Sequence, residues 1–211
     1  MHEYIKINTV QKRDEKSKKI ILDTFSKPHF ENIKIWRATE KIDGTNIRID
    51  CGVGSGFEIK GKTDNANLHP ALIDGIFNLF PDASIFDEVF PTASKVILYG
   101  EGYGPKINGG GKYRKDHSFI LFDILIDSKW WLDYENIKDV AEKLNIDVVP
   151  TLGFMTIDDA ISFVQTSPKS LIADCTMEGL VLVPDPVMLF NNGTPIKVKV
   201  KVKDYLALKT G

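Results

Sequence analysis

Glu40-Lys41-Ile42-Asp43-Gly44-Thr45-Asn46 sets a lysine at a turn, with carboxylates on either side and a glycine three residues further on. A lysine amine is mostly protonated at neutral pH, and it becomes a useful nucleophile when nearby cations or desolvation lower its pKa. The chemistry on offer is covalent catalysis, in which Nζ takes up a group from an electrophilic centre. Gly44 allows a tight turn and close approach by a bulky substrate. By itself the stretch reads equally as a strand–turn–strand with a solvated lysine, so the rest of the chain has to decide.

Four more polar features fall at expected strand ends or turns, where chemistry concentrates. They are Gly61-Lys62-Thr63-Asp64-Asn65, Tyr99-Gly100-Glu101-Gly102-Tyr103-Gly104, Glu178 ahead of the apolar run to Val183, and Lys199-Val200-Lys201-Val202-Lys203. Glu101 ends one apolar strand and Glu178 opens another, so both carboxylates are presented from rigid backbone. Two such carboxylates converging on one lysine suit a cation–polyphosphate site. Lys197, Lys199, Lys201 and Lys203 alternate with apolar residues and are expected on one face, where like charges repel unless phosphates or carboxylates neutralise them. The competing reading is a solvated edge strand that lysines protect from aggregation. Lys106, Lys112, Tyr113 and Arg114 form a loop that either follows a nucleic-acid backbone or is simply a flexible glycine loop. His69 and His117 have no partners at metal-ligand spacing.

The elements that would position these groups can be read from periodicity. Ile33–Lys41 and Thr45–Cys51 are expected strands, the second with Ile47 and Ile49 alternating against polar neighbours. Residues 52–56 read as a hairpin loop and Phe57–Lys60 as the returning strand. Leu72, Ile73, Ile76, Phe77 and Phe80 make a helical stripe with Pro70 in its first turn, and a shorter helix is expected over Ser84–Phe90. Lys95–Gly100 and Ser118–Ile126 read as buried strands. In the second, alternation would place Phe122 with Ile120 on one face and Leu121 with Asp123 on the other, Asp123 as a buried hydrogen-bonding group. Asp133 is the expected N-cap of a helix through Ile137, Val140, Ala141 and Leu144. Thr156 with Asp159 reads as a capping box. Gly179–Val183 and Ile196–Val202 are the last expected strands. The irregular mixture implies an α+β class with antiparallel sheets.

Composition sets outer limits. At 211 residues, 43% hydrophobic and 27% charged, the chain reads as one globular domain over residues 1–211. The net charge of −2 carries no global nucleic-acid signature, so any phosphate partner would be met locally. Cys51 and Cys175 are too few for a structural zinc site. With no leader-like segment and no apolar run near membrane length, the expected setting is intracellular, cytoplasmic and off the membrane. The charged stretch Gln11–Lys19 reads as a solvated loop.

In this order the motifs resemble those of the covalent nucleotidyltransferase superfamily, which comprises polynucleotide ligases and mRNA capping enzymes. Glu40–Asn46, the early Lys-Thr-x-Asn and the late Lys-x-Lys before Tyr205 are most similar to the RNA ligase branch, near the phage-type RNA ligase 2 family. The resemblance spans roughly residues 33–205. It implies a nucleotidyltransferase (adenylation-domain) fold, ATP and Mg²⁺ as cofactors, and an ATP-dependent RNA ligase that joins RNA ends or nicks through a lysyl–AMP intermediate. By the same resemblance Lys41 is the covalent lysine, Lys199 and Lys201 hold the α-phosphate, and Lys197 replaces one of them if the register slips by two. Glu40 faces the adenine edge, Asn46 bonds a phosphate, Lys62 stands where relatives carry a phosphate-binding arginine, and Phe122 stacks on the purine. Glu101 serves the ribose or the metal, and Glu178 the metal through its waters.

The chain ends six residues after Tyr205, so no C-terminal OB domain is expected, and a partner or a missing domain would recognise the ends. No upstream domain of the kind that reads nicotinamide mononucleotide is expected either, which favours ATP over NAD. The alternatives are a DNA ligase, a GTP-using capping-type transferase, or a non-catalytic module that binds RNA ends.

Overall fold

Between Ile42 and Asp43 the chain leaves one compact unit and enters another. The structure, a computed structural model, describes residues 3–52, 54 and 56–206. One unit, here the lysine unit, takes Lys6–Ile42 and the chain from Pro150 onward. The inserted unit takes Asp43–Val149 with the N-terminal residues up to Ile5.

The lysine unit starts with β1 (Asn8–Thr9), β2 (Gln11–Arg13), β3 (Ile20–Phe25) and β4 (Trp36–Lys41). The inserted unit follows with β5 (Thr45–Gly52), β6 (Gly56–Gly61), α1 (Pro70–Leu79), α2 (Ser84–Val89), β7 (Lys95–Tyr103), β8 (Ser118–Ile126), β9 (Trp130–Trp131), α3 (Tyr134–Leu144) and β10 (Asp147–Val148). The lysine unit resumes with β11 (Thr151–Met155), α4 (Ile157–Val164), β12 (Gly179–Pro184), β13 (Val198–Lys201) and α5 (Val202–Leu206). The class is α+β with largely antiparallel sheets. The exceptions are the parallel pairs β1–β13 and β8–β10.

In the lysine unit the sheet runs β1-β13-β12-β4-β11. Trp36, Ala38, Leu180, Leu182, Val198 and Val200 turn to one face, where Ile157, Ala160 and Val164 of α4 cover them. Strand alternation on one side and a helical stripe on the other make this fit. In the inserted unit the order is β10-β8-β7-β5-β6, with β9 beside β8. Leu72 and Ile76 of α1 and Ile137, Val140, Ala141 and Leu144 of α3 close over Ile47, Ile49, Leu98 and Phe119.

The expected caps are present. Asp133 accepts from the Asn136 amide at 2.9 Å, and Thr156 and Asp159 form a complete capping box on α4. Replacing Thr156 by alanine is expected to cost about 1 kcal/mol, measured as a lower urea midpoint at unchanged m-value.

Several elements depart from the sequence reading. The segment expected as a solvated loop contains β2, which pairs with β3; the apolar start Ile20-Ile21-Leu22 supplies its partner. Glu101 lies inside β7, opposite Asn46 and Ile120, rather than at its end. A bulge displaces the register at Phe122, where Tyr99 faces Asp123 but Gly100 faces Leu121. Leu121 therefore enters the core cluster, while Asp123 accepts a hydrogen bond from Tyr4, whose ring also packs on Phe122 at 5.0 Å. Simple alternation had paired Asp123 with Leu121. The last strand ends at Lys201, and Lys203 belongs to α5, so the four lysines do not share a strand face. Nor is β13 an edge strand, since β1 and β12 flank it. Strands β4 and β5 enter different sheets, so the Asp-Gly turn joins two sheets and closes no hairpin. Of the hairpin loop expected at 52–56, positions 53 and 55 lie outside the described residues.

Candidate active site

Three neighbouring strands assemble the lysine cluster. Lys41, the last residue of β4, lies opposite Gly179 at the start of β12, and Gly179 lies opposite Lys201 at the end of β13. Glu178, one residue before β12, sits between the two amines. Lys41 Nζ donates to its Oε2 at 2.7 Å, and Lys201 Nζ donates to its Oε1. The Val202 amide holds the Glu178 carbonyl at 3.0 Å and fixes its backbone. All three side chains are between 14% and 21% exposed, so the cluster can be reached from solvent while its charges act in a partly desolvated setting.

Burial alone would raise the Glu178 carboxyl. The Lys41 charge and the hydrogen bonds from Lys201 and Lys41 outweigh it and hold the carboxyl below its ordinary range. Lys199, on the same side of β13 as Lys201, responds the other way. Burial first, then the Lys201 and Lys41 charges, lower it to about 8. One carboxylate among three amines leaves a cationic surplus that an anion would neutralise.

The shift at Lys199 has a consequence for pH. Its amine is more acidic folded than unfolded, so the unfolded chain binds more protons between pH 8 and 10.5. Stability contributed by this group is therefore lowest below pH 8 and rises through that window. Lys199→Met is expected to be more stable than the parent near pH 7, with the gap closing by pH 10.5. Urea midpoints across pH check this.

Glu40, one residue before Lys41 and on the other side of β4, is 1% exposed. Its Oε2 accepts from the Leu171 amide at 2.7 Å, while its buried Oε1 has no hydrogen-bond partner. A buried carboxylate oxygen left open is costly and marks a place where a donor is expected.

The inserted unit holds the remaining predicted residues. Glu101 Oε1 accepts from the Gly44 amide at 3.1 Å. Asn46, across from Glu101, has a buried Oδ1 without a partner. Phe122 is half-buried against Tyr4, and Lys62 is exposed. Burial and then the Asp123 charge push the Tyr4 phenol well up. Gly44 has a role the turn argument missed: a Cβ there would stand 2.3 Å from the Gly102 carbonyl and 2.8 Å from Glu101 Cγ. Close packing on β7, rather than room for a substrate, requires glycine there.

The glycine-rich loop is held in place. Tyr113 Oη accepts from the Asp43 amide at 3.3 Å, and Ile107 is buried. The Arg114 guanidinium donates to both Asp116 oxygens at 2.7 and 2.8 Å and lies over the Tyr103 ring, so its charge is largely spent internally. Lys106 and Lys112 remain exposed. His69 and His117 stack on each other at 5.3 Å. Among the described residues no three His, Cys, Asp or Glu side chains group as a metal site. Both cysteines are free.

Of the predicted residues, Lys41, Glu178, Lys199 and Lys201 come together in the lysine unit. Lys197 is 5% exposed and precedes β13, which itself carries Lys199 and Lys201. Tyr205 is buried and donates to Gln11 at 2.9 Å. What sequence reasoning missed is the pairing of β2 with β3 across the charged turn; its signal was the apolar triplet at Ile20.

Similar proteins extend these observations. A Naegleria gruberi RNA ligase, solved as a lysine-to-alanine variant with ATP and Mn, superposes at a TM-score of 0.64 with 19% identity, covering 87% of this chain and 54% of that one. The same enzyme solved as a lysine-to-methionine variant with AMP and Mn gives 0.65 with 20% identity, covering 86% and 54%. With PPi it gives 0.64 with 20% identity, covering 87% and 54%. At this identity the likeness establishes the fold, and the chain spans about half the length of those ligases. No curated protein matches the chain. No helix among the described residues is long and apolar enough to cross a membrane. The RNA ligase family model matches residues 34–201, from the strand that carries the lysine to the strand that carries Lys201, and the chain belongs to the RNA ligase family.

Proposed function

We propose that this chain, acting as one adenylation domain over residues 1–211, is an intracellular ATP-dependent RNA ligase whose covalent nucleophile is Lys41. The observation that carries the reading is the Lys41–Glu178–Lys201 bridge on three adjacent strands, with Lys199 beside it and more cations than carboxylates.

In the proposed reaction Lys41 Nζ attacks the α-phosphorus of ATP in line. An N–P bond forms as the bond from that phosphorus to the bridging oxygen breaks, and pyrophosphate leaves with the electron pair while the amine gives up a proton. Glu178 releases Lys41 as the nucleotide enters, and Lys199 and Lys201 take the non-bridging oxygens. This kind of displacement depends on positioning and charge neutralisation, which such a cluster supplies. The lysyl–AMP then passes AMP to an RNA 5′-phosphate, and a 3′-hydroxyl displaces AMP to seal the join.

Adenine fits the open Glu40 oxygen, which would accept from its amino edge. Phe122 would stack on the purine, Glu101 would hold the ribose, and Asn46 and Lys62 would meet phosphates. Glu178 and Glu101, each in its own unit, are the carboxylates that would serve Mg²⁺, Glu178 through the metal's waters. The metal, when bound, neutralises charge developing on the phosphates. A Naegleria gruberi RNA ligase of the same fold, solved with ATP, AMP, PPi and Mn, supports the choice of ATP and a divalent metal.

The test is incubation with α-labelled ATP and Mg²⁺, denaturation, and measurement of label on the protein, followed by sealing of matched RNA and DNA nicks. Label from ATP with RNA sealing is expected. Label from GTP alone would point to a capping-type transferase, sealing of DNA alone to a DNA ligase, and RNA binding without label to a non-catalytic module.

A further inference from the structure

Between α4 and β12 of the lysine unit, residues 168–177 form a hairpin that none of the sequence motifs includes. Lys169 and Thr176 bridge antiparallel. The Ser170 amide donates to the Cys175 carbonyl at 2.8 Å, and the Met177 amide donates to the Pro168 carbonyl at 2.9 Å. Met177 is buried in the core cluster and roots the hairpin, and the next residue is Glu178. At the tip Leu171 and Ile172 are exposed. The Ser170 hydroxyl accepts from the Ile172 amide at 3.1 Å and fixes the turn.

The tip reaches Glu40. The Leu171 amide donates to Oε2 at 2.7 Å, whereas the buried Oε1 has no partner. The Glu40 amide donates to the Pro150 carbonyl at 2.9 Å, so the backbone of the residue is fixed as well. A carboxylate with both oxygens open accepts two parallel N–H groups at once. Guanine offers two such donors on one edge, N1–H and the 2-amino group. Adenine offers its 6-amino group beside the N1 lone pair, which a second carboxylate oxygen would repel. Resting on the proposed function above, we propose that the 168–177 hairpin selects the base: the Leu171 amide withholds Glu40 Oε2, and the single open oxygen accepts from adenine. Guanine would leave one of its paired donors unmet, a cost that a buried site makes large. Leu171 is thus a positioning residue that acts through Glu40, and it does so with its backbone. The same hairpin carries Glu178 at its root, so one segment serves both the base end and the phosphate end of the nucleotide.

The test uses AMP and GMP as calorimetric ligands, with α-labelled ATP and GTP in the transfer assay. The parent is expected to prefer AMP. In Glu40→Gln the Leu171 amide claims the side-chain oxygen and turns the side-chain nitrogen, a donor, towards the base. That donor opposes the adenine amino group and suits the guanine carbonyl, so the AMP-to-GMP affinity ratio should fall about a hundredfold. Adding Leu171→Pro to Glu40→Gln removes the N–H that orients the glutamine, which can then flip, and the ratio should recover about tenfold. Leu171→Ala keeps the N–H, so whatever it does to the two affinities it should do to both, with the ratio within twofold of the parent. A purely structural hairpin would shift both nucleotides alike in every variant. Thermal melts report folding, and if the proline variant unfolds, Glu40→Gln decides alone. A Glu40→Gln protein with the parent's ratio overturns the proposal, and so does a parent that binds AMP and GMP equally; label transfer from ATP in either case leaves the ligase reading standing. If the ratio shifts as stated and no protein ever takes label, the hairpin assignment stands and the ligase reading falls.

Discussion

Lys41→Ala is expected to take up no label from α-labelled ATP, a loss greater than about 1,000-fold, while remaining folded. Lys41 ends β4, whereas the neighbouring amines Lys199 and Lys201 both stand on β13, two strands away, and are proposed to hold the phosphate oxygens. Alanine leaves Glu178 still paired with Lys201, so no buried charge is orphaned and the melting temperature should change little. Lys41→Arg should fail as completely, because a guanidinium keeps its proton and offers no lone pair to phosphorus. Label on either variant equal to the parent's would remove Lys41 from the mechanism. AMP binding, measured separately, should survive both changes, which separates a lost nucleophile from a lost pocket.

The second large effect is steric and concerns Gly179. A Cβ at this position would lie 2.2 Å from the Val200 carbonyl oxygen and 2.7 Å from Lys201 Cα. Both are backbone atoms of β13, so no rotamer change relieves the contact and the two strands must part. Gly179→Ala is expected to cost about 3 kcal/mol, measured as a fall in the urea midpoint. It should also depress labelling, because Glu178 and Lys201 meet across this strand pair. A variant as stable and active as the parent would show that β12 and β13 do not approach as described.

These experiments rest on features that were unequally visible in the sequence. The helix caps at Asp133 and Thr156, the stripes of α1 and α3, and the strands around Ile47, Leu98 and Leu180 all follow from local patterning, which neighbours in sequence are enough to produce. Motif order pointed to Lys41, Glu178, Lys199 and Lys201, and the structure brings these four together. The reading failed where a distant segment changes local geometry. Perfect alternation misplaced Leu121 and Asp123 because a bulge opposite Tyr99 and Gly100 adds a residue to β8. The lysine ribbon read as possible edge protection because nothing nearby in sequence reveals that β1 pairs with β13.

By itself, the order of residues determined the α+β class and the periodic elements and singled out Lys41 as the candidate nucleophile, since each depends on side-chain type and short-range spacing. Tertiary structure alone decided that one carboxylate bridges Lys41 and Lys201, that Glu40 keeps an open buried oxygen, and that a charged N-terminal stretch becomes a wall beside Lys199. Each of these depends on which strands become neighbours, and that is set by burial of the apolar face of a sheet whose strands come from opposite ends of the chain.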